Sequence, residues 1–339
     1  MKITRIKIAN LRAITELDLD LTTGPNQPLD LVMLAGSNGC GKTSVLEACL
    51  WALNQDALVS RTLPRQAYSI ELDIAYDDEH YRISRNPETH TIQARDQKPT
   101  ALPKKGLPTW LTLKAIYFSS WRAPKLIGSV PLSTGRGKRP TRSPQNALWR
   151  LKQYLVNLTG LRGISGFQET QTVKIPELVD RVMDLWREFY PGTNGRFEVR
   201  IATRENVNAP IHFSVFPEET SDDELTFDLF LIDKDHPQGI SVDELSSGEI
   251  EVLSMIGSFL LERIPYDLVL VDEPELHLHP AWHRTIINVL RRAAPDSQII
   301  CATHSEHILD SVYSHERFTL LSEADPRLRL VQQELPSRA

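Results

Sequence analysis

Alternation opens the chain. Ile6 and Ile8 stand between polar neighbours, and Leu17, Leu19 and Leu21 alternate with Asp18 and Asp20, which predicts two half-buried strands. A turn-rich stretch, Thr23-Gly24-Pro25-Asn26, separates them from an apolar run, Leu31 to Leu34, that reads as a short buried strand running into glycines. Val45, Leu46, Cys49, Leu50 and Leu53 then mark the buried face of a helix. Residues 66–95 predict antiparallel strands, with Ile70, Leu72 and Ile74 alternating before Tyr81 and Ile83. A Pro/Lys-rich link from Lys98 to Pro108 leads to another apolar strand, Leu113 to Phe118. Amphipathic helices are predicted near 146–158 (Leu148, Leu151, Leu155, Leu158) and 177–190 (Leu178, Val182, Leu185, Phe189). Strand signals return from Phe197 to Ile232.

The last hundred residues alternate: helix near 248–263, strand 267–271, helix near 280–294, strand 298–302, helix near 305–313. Short apolar strands separated by a helix pair in parallel through right-handed crossovers. The predicted fold class is α/β, with an antiparallel β portion and a helical insertion.

Composition narrows the function classes. The chain has 339 residues, 41% hydrophobic and 24% charged, which is ordinary globular usage. Its net charge of −6 supplies no global basic field for nucleic acid. The one basic stretch is a turn-rich loop, residues 133–142, with Arg136, Lys138, Arg139 and Arg142. No apolar run approaches the roughly 20 residues of a membrane-spanning helix, and the start lacks a signal-peptide h-region. Three cysteines, Cys40, Cys49 and Cys301, form no CxxC pair, which fits a reducing compartment. The expected location is the cytoplasm, with no membrane partner.

The sharpest chemistry lies at Gly36-Ser37-Asn38-Gly39-Cys40-Gly41-Lys42-Thr43, which fits G-x-x-x-x-G-K-[ST] between a strand and a helix. Glycines let backbone N–H groups approach phosphate, and the helix N-terminus adds partial positive charge. Lys42 offers a full charge to the β/γ-phosphates, and the Thr43 hydroxyl offers a ligand to Mg2+. Cys40 has no base beside it in sequence and reads as packing. A second strand, Asp267 to Val271, ends in Asp272-Glu273-Pro274. Ligands bind at such carboxyl ends in α/β sheets. Asp272 is expected to serve Mg2+, and Glu273 to polarise the attacking water. A third strand ends in Thr303-His304-Ser305, where His304 could bond a γ-phosphate. His277 and His279 lack a third ligand at metal spacing. Leu245-Ser246-Ser247-Gly248-Glu249 stands at a helix start, another anion-binding setting.

Taken in order, the phosphate loop, the serine turn, the acidic strand and Thr-His-Ser resemble the ABC-type ATPases. The opening Ile6-Lys-Ile-Ala-Asn-Leu-Arg12-Ala-Ile14 is similar to the SMC, RecF and OLD branch, and Asp272-Glu-Pro-Glu-Leu-His-Leu-His-Pro280 to OLD-like ATPases, many of them in phage-defence operons. The resemblance covers both ends of the chain, and residues 119–195 only in layout. It implies one composite ABC head over 1–339, divided into 1–118, 119–195 and 196–339. ATP would sit on Gly36 to Thr43 with Ser44 and Arg12, with Thr43 and Asp272 serving Mg2+. Lys42, Glu273 and His304 would carry hydrolysis. Ser246, Ser247, Gly248 and Glu249 would form the signature, closing in trans over the γ-phosphate of a second copy.

The chain departs from that pattern after Phe118. Ser119-Ser120-Trp121-Arg122 holds no glutamine, and Gln66 is out of register. The chain runs from His304 only to Ala339, so no Toprim-like nuclease domain is expected to follow. The leading expectation is an ATP-driven dimer gating a separately encoded effector such as a nuclease or toxin. The alternative is a RecF-like DNA-binding repair ATPase. A transporter subunit fits less well, because the glutamine is missing and the first-strand pattern differs.

Overall fold

The computed structural model describes residues 1–24, 27–94, 97–104, 106–122, 128–131, 147–162, 175–191, 195–201, 226–262 and 265–321. The basic loop expected at 133–142 lies outside the described residues. In chain order the elements are β1 (Lys2–Leu11), β2 (Ile14–Asp20), β3 (Leu31–Ala35), α1 (Lys42–Ala52), β4 (Ser69–Tyr76), β5 (Glu79–Arg85), β6 (His90–Ala94), β7 (Thr100–Ala101) and β8 (Ala115–Phe118). There follow β9 (Val130–Pro131), α2 (Ala147–Arg162), α3 (Ile175–Trp186), β10 (Arg196–Ile201), β11 (Thr226–Ile232), β12 (Ile240–Ser241) and α4 (Ser247–Leu260). The last are β13 (Leu268–Asp272), α5 (His283–Ala293), β14 (Gln298–Thr303), α6 (Glu306–Leu309) and β15 (Arg317–Thr319).

Two compact units divide these elements. The first takes Met1–Ser120, Pro265–Leu276 and Ile286–Ala339. It holds an antiparallel sheet in the order β2-β1-β4-β5-β6-β7 and a five-stranded sheet in the order β15-β3-β14-β13-β8. Every pairing in the five-stranded sheet is parallel. Parallel strands cannot be joined by hairpins, so stretches far apart in sequence must return to lie beside β3. That requirement splits 196–339 in space: residues 265–276 and 286–321 rejoin the first unit.

Between the two sheets runs α1. Ten of its eleven residues are buried, all but Thr43. A helix buried on nearly every side belongs inside a core. Ile6, Ile8 and Leu72 from the antiparallel sheet and Val32, Leu34, Leu270 and Ile300 from the parallel sheet share its cluster. The buried amide of Gln298 ties the layers, donating to the carbonyls of Ile3 (2.8 Å) and Leu29 (2.9 Å) and accepting from the Ile3 N–H (2.7 Å). These bonds satisfy backbone groups where the β1–β4 register slips between Ile3 and Arg5.

The second unit takes Trp121–Ile264 and His277–Thr285. Here α2 and α3 pack on α4, and α2 also covers β11, which pairs with β10, β12 and β9. Among the described residues no helix is long and apolar enough to cross a membrane.

Two late elements differ from the sequence expectation. The helix near 305–313 is only α6, four residues. The Ser311 hydroxyl donates to the Ile308 carbonyl and turns the chain. The short β15 adds a strand beside β3 that three residues of sequence cannot announce.

Candidate functional site

The parallel register brings the expected residues of the first unit to one edge. Ala35 pairs with Thr303, Asp272 with Ala302, and Phe118 with Val271. The phosphate loop, the acidic pair and the Thr-His-Ser turn therefore leave neighbouring strands side by side.

The loop after β3 depends on its glycines. At Gly36 a Cβ would lie 2.4 Å from the Leu320 carbonyl oxygen. Gly41 has φ +104°, and a Cβ there would lie 2.7 Å from Ile14 Cγ1. Ser37, Asn38 and Gly39 are exposed at the loop's crest, while Cys40 and Ser44 are buried. Gly41 caps α1 without a side chain, so the first N–H groups of the helix stay available to an anion. Lys42 is buried and folds back over the loop, its Nζ donating to the carbonyls of Gly36 (2.7 Å) and Ser37 (3.0 Å). The Lys42 ammonium is thus held across the loop by two of the loop's own carbonyls.

Thr43 Oγ1 donates to Asp272 Oδ2 at 2.9 Å. Asp272 is 1% exposed, so its carboxylate works in a low-dielectric setting. A hydroxyl joined to a buried carboxylate is an oxygen pair that suits Mg2+. Glu273 leaves the strand with φ +52°, a left-handed conformation unusual for a non-glycine residue. Its N–H donates to the Ala302 carbonyl (2.8 Å) and its carbonyl accepts from Leu276 (2.9 Å), which fixes the turn. The Glu273 side chain stays about one third exposed, within reach of water. His304 is half exposed, with Nδ1 3.9 Å from Glu273 Oε1 and 3.5 Å from Glu275 Oε1.

Glu275 was not singled out from the sequence. Its buried Oε1 accepts from the Thr303 hydroxyl (2.7 Å) and the His304 N–H (3.0 Å). The signal was present in the acidic spacing Glu273-Pro-Glu275. In the fold both acids come to lie beside His304 at the end of β14. Arg12, φ +55°, is ion-paired to Glu47 of α1 and stacks 4.9 Å above the Trp51 ring. The end of β8 opens onto Ser119 and Ser120, with no glutamine among residues 119–122.

In the second unit, Ser246 caps α4. Its side chain accepts from the Glu249 N–H, and Glu249 Oε2 accepts from the Ser246 N–H (2.8 Å), a reciprocal capping box. The other Glu249 oxygen accepts from the Tyr190 hydroxyl. Burial, reinforced by Glu249, pushes that phenol well above its ordinary range. Ser247 is exposed at the helix start, and a Cβ on Gly248 would lie 2.6 Å from the His277 carbonyl oxygen. Serine, glycine and glutamate here have separate jobs: display, close approach and capping. His277 and His279 are exposed, and the described residues hold no group of three metal-ligating side chains.

Residues 138–310, just over half of the chain, match the family described as "AAA domain, putative AbiEii toxin, Type IV TA system". Residues 5–98 match a second AAA domain family. The Retron Vc95 probable ATPase of Vibrio cholerae serotype O1 biovar El Tor is 33% identical over 103 residues, 27% of this chain and 20% of that protein. The Septu protein PtuA of Bacillus mycoides (strain KBAB4) is 22% identical over 361 aligned residues, 99% of this chain and 42% of that protein. The chain thus spans less than half the length of these curated relatives. The Smc head solved bound to the C-winged helix domain of ScpA superposes with a TM-score of 0.52 at 13% identity, covering 92% of each chain, a likeness of fold. The chain belongs to the AAA-domain family that residues 138–310 match, and its fold is that of an SMC head.

Proposed function

We propose that the chain is a Mg-ATP-driven switch in phage defence, working in the cytoplasm, whose closed state is a dimer that gates a separately encoded effector. The Thr43–Asp272 hydrogen bond of 2.9 Å carries the nucleotide half of this reading, because it joins the phosphate loop to a buried acid 229 residues away. Residues fit both groups. The glycine cradle and Lys42 suit a triphosphate, and Thr43 with Asp272 suits the cation. Mg2+ bound there neutralises phosphate charge. Lys42 exchanges loop carbonyls for phosphate oxygens, Glu273 orients water and takes its proton, and His304 meets the γ-phosphate from the third strand end.

The dimer follows from charge. One subunit's loop leaves part of the γ-phosphate charge unpaired, and the N-terminus of α4 with Ser247 offers N–H groups and a hydroxyl to it. Supplied by a second copy, that turn makes ATP an adhesive that hydrolysis removes. The relatives, a retron ATPase and a Septu protein, support the defence setting.

Lys42→Ala tests the cradle. ATP affinity measured by calorimetry is expected to fall at least tenfold, and unchanged affinity would count against the assignment. Duplex binding that weakens with salt and is lost on charge reversal of Arg136, Lys138, Arg139 and Arg142 would promote the RecF-like alternative.

A further inference from the structure

We infer that Glu275 is a positioning residue of ATP hydrolysis, acting through His304. The inference rests on the proposed ATP site and deepens it.

Three bonds converge where β13 and β14 end. Glu275 Oε1 accepts from Thr303 Oγ1 at 2.7 Å and from the His304 N–H at 3.0 Å. Thr303 Oγ1 in turn accepts from the Ser305 N–H at 2.9 Å. One carboxylate oxygen thereby fixes the three-residue turn that displays His304. The same oxygen lies 3.5 Å from His304 Nδ1. Nδ1 faces the acids, which leaves Nε2 on the opposite side of the ring.

The surroundings make this arrangement deliberate. Glu275 is 8% exposed and Thr303 is fully buried. Among the described residues its other oxygen, Oε2, is buried with no hydrogen-bond partner. A carboxylate with one oxygen orphaned costs stability wherever it is placed only for packing. An apolar residue of similar size would serve the core better. What Glu275 supplies and an apolar residue cannot is the acceptor that holds Thr303 and His304. Its own backbone is set by the left-handed turn at Glu273, so the water-activating acid and the histidine share one support.

A double-mutant cycle on ATP turnover distinguishes positioning from packing. In the wild-type background, Glu275→Ala is expected to lower kcat about tenfold or more, with KM and ATP affinity within threefold. In a His304→Ala background the same change is expected to have little further effect, because the group it positions is gone. Glu275→Gln keeps an acceptor oxygen and should recover most of the loss. Thr303→Val cuts the same link from the other side, and the cycle is repeated with it, so a misfolded Glu275→Ala does not end the test. An equal fall in both backgrounds would make Glu275 a packing residue and overturn the inference. So would unchanged kcat in Glu275→Ala. Full turnover in His304→Ala itself would instead overturn the role given to His304, and the inference with it.

Discussion

At the scale of single residues, a few atoms in the loop after β3 have little room to be otherwise. Gly41 sits at φ +104°, with Ile14 Cγ1 only 2.7 Å from where its Cβ would be. Gly41→Ala is expected to destabilise the first unit by about 1–2 kcal/mol from backbone conformation alone, read as a lower urea midpoint. A midpoint equal to the wild type would show that the loop relaxes freely. Glu273 differs from Lys42 in what it leaves behind when removed. Glu273→Gln preserves shape and abolishes the base, so ATP should still bind while turnover falls at least a hundredfold. Turnover near the wild-type rate would remove Glu273 from its role. Cys49, inside α1, is an inert counterpart to such groups, since burial pushes its thiol up to about 12.

At the scale of elements, caps and strand ends decide where chemistry can sit. The box between Ser246 and Glu249 starts α4. Ser246→Ala is expected to cost about 1 kcal/mol, seen in thermal unfolding; no change would mean the Tyr190–Glu249 bond alone holds the turn. At the other end of α1, His90 Nε2 is 2.7 Å from the Ala52 carbonyl oxygen. Burial holds this ring below the ordinary histidine value of 6.5. The unfolded chain then binds the proton more readily than the folded one, so stability is present above about pH 6.5 and lost as pH falls below it. His90→Gln should flatten that part of the stability profile, and an unchanged acid limb would place the dependence elsewhere.

Much at this scale was legible in the sequence. The alternation of Ile6 and Ile8, the run from Leu31 to Leu34 and the motif through Thr43 carry local signals that the structure repeats as β1, β3 and the phosphate loop. What was not legible depends on long-range register. Glu275, Gln298 and the β15 edge acquire their roles only when strands far apart in sequence come to lie together, and no local period encodes that. The length of α6 was lost for a smaller reason, a serine hydroxyl competing for a carbonyl.

At the scale of the whole molecule, the segment leading to the serine turn is fastened by a buried charge cluster in the second unit. Lys152, fully buried, donates to Asp243 Oδ2 and to the Gly128 carbonyl, each at 2.8 Å, and is paired with buried Asp228. Lys152→Met removes the buried cation that Asp228 and Asp243 share and is expected to destabilise the chain by about 3–5 kcal/mol. Chemical denaturation checks this, and a change under 1 kcal/mol would mean the aspartates find another partner.

In the proposed closed state, ATP is enclosed by the phosphate loop of one copy and the serine turn of another. Mixing tests it most directly. Lys42→Ala lacks the loop cation and Ser247→Arg blocks the turn, so each alone should be inactive. A mixed dimer of the two contains one composite site with both parts intact. ATP turnover is expected to reappear on mixing, at up to about half the wild-type level per site. A mixture no more active than its two components would contradict it.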